Sequence, residues 1–203
     1  MLGKARIPVR CFLILFLGSC FACAPPAAAA DDSHIGLFAD DFCSSCGADY
    51  QPYVQITVYV FAVLDGLNSI TAAEFRVANL PDNSGYPVGQ ISSTWTTSLC
   101  IGDIETGVAL AFMDAQYGPE VRLGQLDFTG YDGNWIAENH RIHIAASLTT
   151  DPATDTPTLV DEVYETYDVW GGRFTFNPSS PEMAECGRAG SAASGWGELK
   201  SLY

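Results

Sequence analysis

Apolar and polar residues alternate along much of the chain, most clearly over residues 53–64, YVQITVYVFAVL. Side chains in an extended strand point alternately to opposite faces, so the apolar series from Val54 to Leu64 shares one face. The other face also carries large residues, including Tyr59 and Phe61. The pattern predicts a central strand whose second face is covered by a loop.

Other stretches carry strand-like patterns between turn residues: 34–39, 72–80, 88–96, 107–113, 120–128, 139–148, 159–164 and 169–176. We expect residues 88–96 to form a polar edge strand and residues 107–113 a buried one. About eight strands without intervening helices predict an all-β fold, an antiparallel β-sandwich with immunoglobulin-like or Greek-key connections. A jelly roll or a closed barrel is the alternative.

The first 30 residues read as a secretory signal peptide. Three basic residues precede an apolar run at 11–23, and an Ala-x-Ala cleavage site ends at Ala30. The run is too short to span a membrane. Leu17-Gly18-Ser19-Cys20 also fits a lipoprotein box, with Cys20 as the lipidated residue. We therefore expect a secreted or cell-envelope protein, with a lipid-anchored lipoprotein as the alternative.

The sandwich domain should extend over residues 31–178, and residues 179–203 should form a flexible tail. The tail begins with small polar residues, SSPEMAECGRAGSAASG, which are typical of a linker. It ends in WGELKSLY, where Trp196, Leu199 and Tyr203 recur at spacings of three and four. This spacing predicts a short amphipathic helix.

Acidic residues dominate the chain after residue 30, with 24 Asp and Glu against six Lys and Arg, a formal charge of −18. Such a surface repels nucleic acid and anionic lipid, so neither is expected as a partner. Acidic loops at 40–41, 103–105, 132–134 and 151–155 leave calcium binding as an alternative.

Four cysteines lie beyond residue 30: Cys43, Cys46, Cys100 and Cys186. An even number in an exported chain favours two structural disulfides over zinc or redox chemistry, because Cys100 and Cys186 are far apart and Cys43 has acidic neighbours. Three pairings remain open. We favour the two that join Cys43 and Cys46 to the distant cysteines, since longer loops give more stabilisation.

Catalytic patterns are absent from the sequence. His140 and His143 are three apart on a predicted strand and therefore point to opposite faces. Ser191 and Ser194 lie in GSAASG, which lacks the G-x-S-x-G pattern. We assign no catalytic, cofactor-binding or metal-binding residue. Carbohydrate binding remains an alternative through aromatic residues that could stack on sugar rings, namely Trp95, Tyr131, Trp135 and Trp170.

Several segments together resemble a group of small exported bacterial β-sandwich proteins of unassigned function: HIGLFAD, FCSSC, VQITVYVFAVL, ITAAEFRVANLP, VWGGRFTFNP and WGELKSLY. The AAEFRVANLP strand also resembles cohesin-type and other extracellular adhesion modules, a likeness general to β-sandwiches. The resemblance implies export and a sandwich fold and supplies no catalytic residue. We expect a non-catalytic surface module for adhesion or protein interaction. A carbohydrate- or calcium-binding module is the alternative, and an enzyme of unrecognised type is the third.

Overall fold

A computed structural model describes residues 32–82, 88–149 and 156–187. Thirteen strands in these residues build an all-β structure of two sheets, as the alternation predicts. The strands are β1 His34–Phe38, β2 Gly47–Ala48, β3 Ile56–Val63, β4 Ser69–Ala78, β5 Gly89–Trp95, β6 Leu99–Asp103, β7 Gly107–Tyr117, β8 Glu120–Gly130, β9 His140–Ala145, β10 Thr158–Val160, β11 Thr166–Asp168, β12 Trp170–Gly171 and β13 Arg173–Phe176.

The first sheet has the order β12-β1-β3-β8-β5. The second has the order β11-β10-β4-β9-β13-β2. β7 also pairs with β4, on the side opposite β10, and β6 pairs with β7. β1 pairs with β12 and β2 with β13 in parallel, so both sheets are mixed and the expected wholly antiparallel arrangement is wrong. Two adjacent parallel strands need a long connecting segment. Here most strands of the sandwich lie, in sequence, between β1 and β12 and between β2 and β13.

β3 is the central strand that its pattern predicts, with β1 on one side and β8 on the other. Its alternate apolar residues are buried between the sheets. On the opposite face, Phe61 is only 6% exposed because Phe38 and Cys46 pack over it. The predicted cover over this second face is therefore confirmed for Phe61.

β8 contains a bulge that the strict alternation missed. Val60 pairs with Gly124 and Phe61 pairs with Arg122, so Leu123 is an extra residue in β8. The buried face therefore changes from Val121 and Leu123 to the even positions that follow. Strict alternation would place Gln125 on the same face as Val121, whereas in the structure Gln125 lies on the outer side of the sheet.

β7 differs from the buried strand expected at residues 107–113, because one of its faces is exposed. Val108 and Leu110 point into the core, whereas Ala109 and Ala111 are exposed and Met113 is 90% exposed. Ala111 pairs with Ala72 but Gln116 pairs with Ile70, so residues 112–115 bulge out of the ladder. β5 is an edge strand as expected, bonded only to β8.

The end of the described chain is held against the sandwich. Pro181–Ala184 form a 3-10 turn, and a disulfide joins Cys186 to Cys46. These residues belong to the segment expected to be flexible. The predicted helix at 196–203, the signal peptide at 1–30 and the Cys20 lipidation site lie outside the described residues. No helix in the described part is long and apolar enough to cross a membrane.

Candidate functional site

The outer face of the second sheet carries exposed aliphatic residues of neighbouring strands in register. Leu99 lies beside Ala111, which lies beside Ala72 and then Val160. In the next row, Ile101 lies beside Ala109, then Glu74, then Thr158. Four strands of different sequence position thus place their outward residues in two parallel rows.

The residues in the middle of these rows are small and those at the β6 side are large, so the rows line a groove, which we call the outer groove. Its floor consists of small side chains, Ala72, Ala109 and Ala111. One wall is β6, where Leu99 is 51% exposed and Ile101 is 79% exposed, and the other wall is β10. The groove has a volume of about 500 Å³. Three strand spacings separate its walls, roughly 14 Å.

Glu74 is the one charged residue in the lining of the outer groove. Glu74 is half-buried and lies between Ala109 of β7 and Thr158 of β10. Asp168 lies beside Thr158 at one end of its row. Asp103 ends β6, where hydrogen bonds from Thr106 lower its pKa. The groove is therefore mostly apolar except for Glu74 in its floor, and Asp103 and Asp168 add negative charge near its edges.

The four cysteines do not form two disulfides. Cys46 and Cys186 are bonded across a sequence separation of 140 residues, and Cys43 and Cys100 are free. Cys43 packs beside the Phe38–Phe61 cluster on the first sheet, whereas Cys100 lies on β6 in the second. Burial and the charges of Glu120, Asp40 and Asp41 raise the pKa of Cys43 to about 12. The expected second bond is wrong because its two thiols belong to different sheets.

The histidines are separated as their spacing predicts. His140 stands on the Ile142 face of β9, and its ring lies 6.4 Å from that of Phe176. His143 points outward, and burial together with the charge of Arg76 lowers its pKa. Among the described residues, no three His, Cys, Asp or Glu side chains lie where they could jointly hold a metal ion.

In the acidic loops of the described ranges, carboxylates accept hydrogen bonds from backbone N–H groups of the same loop. Asp40 accepts hydrogen bonds from the backbone of Phe42 and from Ser44. Asp103 caps the turn to Thr106, and Asp132 accepts from the Asn134 amide. These carboxylates fold turns and do not converge on one point. The fourth acidic loop, 151–155, lies outside the described residues.

Three of the four aromatic candidates pack against other rings. Trp95 contacts Phe75, Trp135 contacts Tyr50, and Trp170 stacks on His34 with ring centres 3.7 Å apart. Tyr131 differs, because it is 48% exposed and lies 6.2 Å from Tyr53, which is 76% exposed. The candidates therefore do not form one aligned row.

Sequence reasoning missed the residues of the outer groove. β6 was not predicted, and residues 107–113 were expected to form a buried strand, whereas β7 exposes Ala109, Ala111 and Met113. The available signal was LCIGDIETGVALAFM, two apolar runs separated by a turn, which is a hairpin pattern. Nothing in that pattern indicates which face of the hairpin stays uncovered.

Solved structures resemble this chain weakly. They include the sixth cohesin of Acetivibrio cellulolyticus scaffoldin B, solved with a Cel5 dockerin, at 12% identity, covering 73% of this chain and 99% of that one, with a TM-score of 0.43. A Clostridium perfringens cohesin module from a family 33 glycoside hydrolase matches at 9% identity, 73% and 98% coverage and a TM-score of 0.38. A chain of a CaDoc0917–CaCohA2 complex matches at 17% identity, 71% and 98% coverage and 0.41.

No family model matches the sequence, and no curated protein does. The fold and the outer groove define the chain as a disulfide-linked all-β module of two mixed sheets, similar in structure to cohesin modules. All three TM-scores are below 0.5.

Proposed function

We propose that the protein is an exported, non-catalytic module that binds another protein through the outer groove. The observation that carries this proposal is the exposure of Leu99 and Ile101 above a floor of alanines. Contiguous apolar surface on an otherwise polar molecule marks interaction sites. The Cys46–Cys186 bond is consistent with a protein that works outside the cytoplasm.

The dimensions of the outer groove favour an α-helix as the partner element. An α-helix with its side chains is about 10–12 Å across. The walls at β6 and β10 are roughly 14 Å apart by strand spacing. A helix lying along β7 and β4 would place its apolar stripe on the alanine floor, between Ile101 and Val160. This is the helix-in-groove mode of recognition.

The carboxylates in and beside the outer groove indicate that the partner helix is basic. Glu74 lies in the apolar floor, and a bound helix would remove it from water, which is costly unless a cation reaches it. The partner helix should therefore carry a Lys or Arg facing Glu74. Asp103 and Asp168 at the edges favour further basic residues, and the net negative charge would increase the association rate at low salt.

The experiment is capture followed by reconstitution. Residues 31–203 are immobilised and exposed to the culture supernatant of the producing cells, in parallel with Ile101→Asp and with Phe42→Asp as the matched control. Phe42 is 84% exposed and lies in the loop that follows β1, away from the outer groove. Captured proteins are identified, purified and titrated by calorimetry. A dockerin, with which one similar cohesin was solved in complex, serves as a separate test ligand.

Support requires a purified partner that binds wild type and the Phe42→Asp variant equally. Ile101→Asp should weaken its binding by at least tenfold, since it places a charge on an apolar wall. Glu74→Gln should weaken binding and reduce its salt dependence. A partner bound equally by Ile101→Asp, or no partner that survives purification, would refute the proposal.

A further inference from the structure

The outer face of the first sheet is divided into a covered half and an open half. Over the covered half, residues 39–46 follow β1 across Phe38 and Phe61. The open half consists of the outward residues of β3, β8 and β5, which are polar. Across these strands Thr57 lies beside Asp127 and Ser92, and Tyr59 lies beside Gln125 and Thr94. We call this open half the polar face.

Hydrogen bonds fix the side chains at the centre of the polar face. Asp127 accepts from Thr57 at 2.7 Å, from Gln55 at 3.0 Å and from Gln125 at 3.0 Å. Arg122 donates to Gln125 at 2.7 Å. Long amide side chains normally lose rotamer entropy when they are held on a surface. Here β8, Thr57 of β3 and Gln55 just before β3 hold hydroxyl, amide and carboxylate groups together on one face of the sheet.

Aromatic and cationic groups lie at the two ends of the polar face. At one end Tyr53 and Tyr131 are exposed, beside the start of β3 and the end of β8. At the other end the Arg122 guanidinium lies 4.6 Å from the centre of the Tyr59 ring and pairs with Asp41 at 3.1 Å. The polar face therefore offers two exposed aromatic rings at one end, followed by an array of hydrogen-bond donors and acceptors.

The charge and polarity of the polar face favour one class of ligand. A protein partner needs an apolar interface core, and the rows of the polar face contain no aliphatic side chain. Anionic chains are disfavoured by Asp127 and by the acidic surface. A metal ion is disfavoured because no described cluster of three ligating side chains exists. A neutral chain covered in hydroxyl groups complements the array in both charge and hydrogen bonding.

We propose that the polar face binds a neutral polysaccharide. One or more sugar rings stack on Tyr131 and Tyr53, and the hydroxyl groups of the following sugars bond to Asp127, Gln125 and Gln55. Sugar hydroxyls can replace or extend the bonds that these side chains now make to one another. The polar face and the outer groove lie on opposite sides of the sandwich, so a glycan and a protein partner would bind without overlap.

Affinity electrophoresis in native gels tests this proposal. Gels contain mixed-linkage β-glucan, xylan or galactomannan as neutral probes and polygalacturonate as the anionic probe. The variants are Tyr131→Ala and Asp127→Asn, with Tyr164→Ala as matched control, because Tyr164 is 82% exposed in the loop between β10 and β11. Asp127→Asn keeps the side-chain shape, and thermal unfolding checks that each variant is folded. The probe that retards wild type is then titrated as a hexasaccharide by calorimetry.

We expect at least one neutral probe to retard wild type and the Tyr164→Ala variant equally. Tyr131→Ala and Asp127→Asn should each weaken hexasaccharide binding by tenfold or more, and Ile101→Asp should leave it unchanged. The proposal is overturned if no neutral probe retards the wild type. It is also overturned if Tyr131→Ala and Asp127→Asn bind as wild type does, or if only the anionic probe binds. These outcomes are independent of whether the outer groove binds protein.

Discussion

Removing the Cys46–Cys186 bond should destabilise the protein strongly. The bond closes a sequence separation of 140 residues. In the chain-entropy model, a loop of that length gives about 5 kcal/mol at 25 °C as an upper bound. The bond also holds two backbone hydrogen bonds in place, from Cys46 N–H to the Ala184 carbonyl and from Arg173 N–H to the Gly187 carbonyl. We expect the double variant Cys46→Ser/Cys186→Ser to lose about 3–5 kcal/mol of unfolding free energy.

The assay is urea denaturation followed by tryptophan fluorescence without reductant, for residues 31–203. The matched control is Cys43→Ser/Cys100→Ser, which removes the two free thiols and should cost less than about 1 kcal/mol. Dithiothreitol should destabilise wild type and the control alike and leave Cys46→Ser/Cys186→Ser unchanged. If the control loses as much stability as the Cys46→Ser/Cys186→Ser variant, a second disulfide exists and the assignment of free thiols is wrong.

Three further predictions follow from local geometry. Gly130→Ala should cost about 1–3 kcal/mol, since its Cβ would lie 1.9 Å from the Tyr50 hydroxyl. Gly133→Ala, whose Cβ would lie 4.0 Å from Pro52 Cγ, an ordinary van der Waals contact, should be neutral in the same denaturation assay. Equal effects would contradict this packing. The lowered pKa of His143 means that the unfolded state binds the proton more readily, so stability should fall as pH drops below about 6.5. His143→Gln should reduce that loss in denaturation at pH 7.5 and 5, and an unchanged slope would contradict it. The pKa of Cys43, about 12, should make its alkylation by iodoacetamide at pH 8 roughly 100-fold slower than that of free cysteine, as peptide mass spectrometry would measure. Labelling as fast as that of free cysteine would show that the thiol is not held protonated.

The period-two alternation predicted the core better than it predicted the surfaces. It placed β3 at the centre of a sheet and predicted cover over its second face, because burial on both faces leaves apolar residues at consecutive positions. It failed at Leu123, where one extra residue moves the buried face of β8 from odd to even positions. A bulge changes register without changing composition, so alternation alone cannot locate it.

The outer groove could not be predicted because it arises from register between strands that are distant in sequence. Ile101, Ala109, Glu74 and Thr158 become neighbours only after β6, β7, β4 and β10 have paired. Each of these residues is unremarkable in its own segment. The disulfide could not be assigned from the sequence either, because four cysteines allow three pairings. Pairing of β2 with β13 brings Cys46 near the end of the described chain, where it bonds to Cys186.

Hydroxyl-radical footprinting of the reconstituted complex shows whether the partner protein covers the outer groove. Side-chain oxidation is measured by mass spectrometry with and without the purified partner. Leu99 and Ile101 are exposed in the groove and should be protected several-fold, whereas Phe42 and Tyr164 should oxidise at the same rate in both samples. Protection of Phe42 with unchanged oxidation of Leu99 and Ile101 would contradict the account.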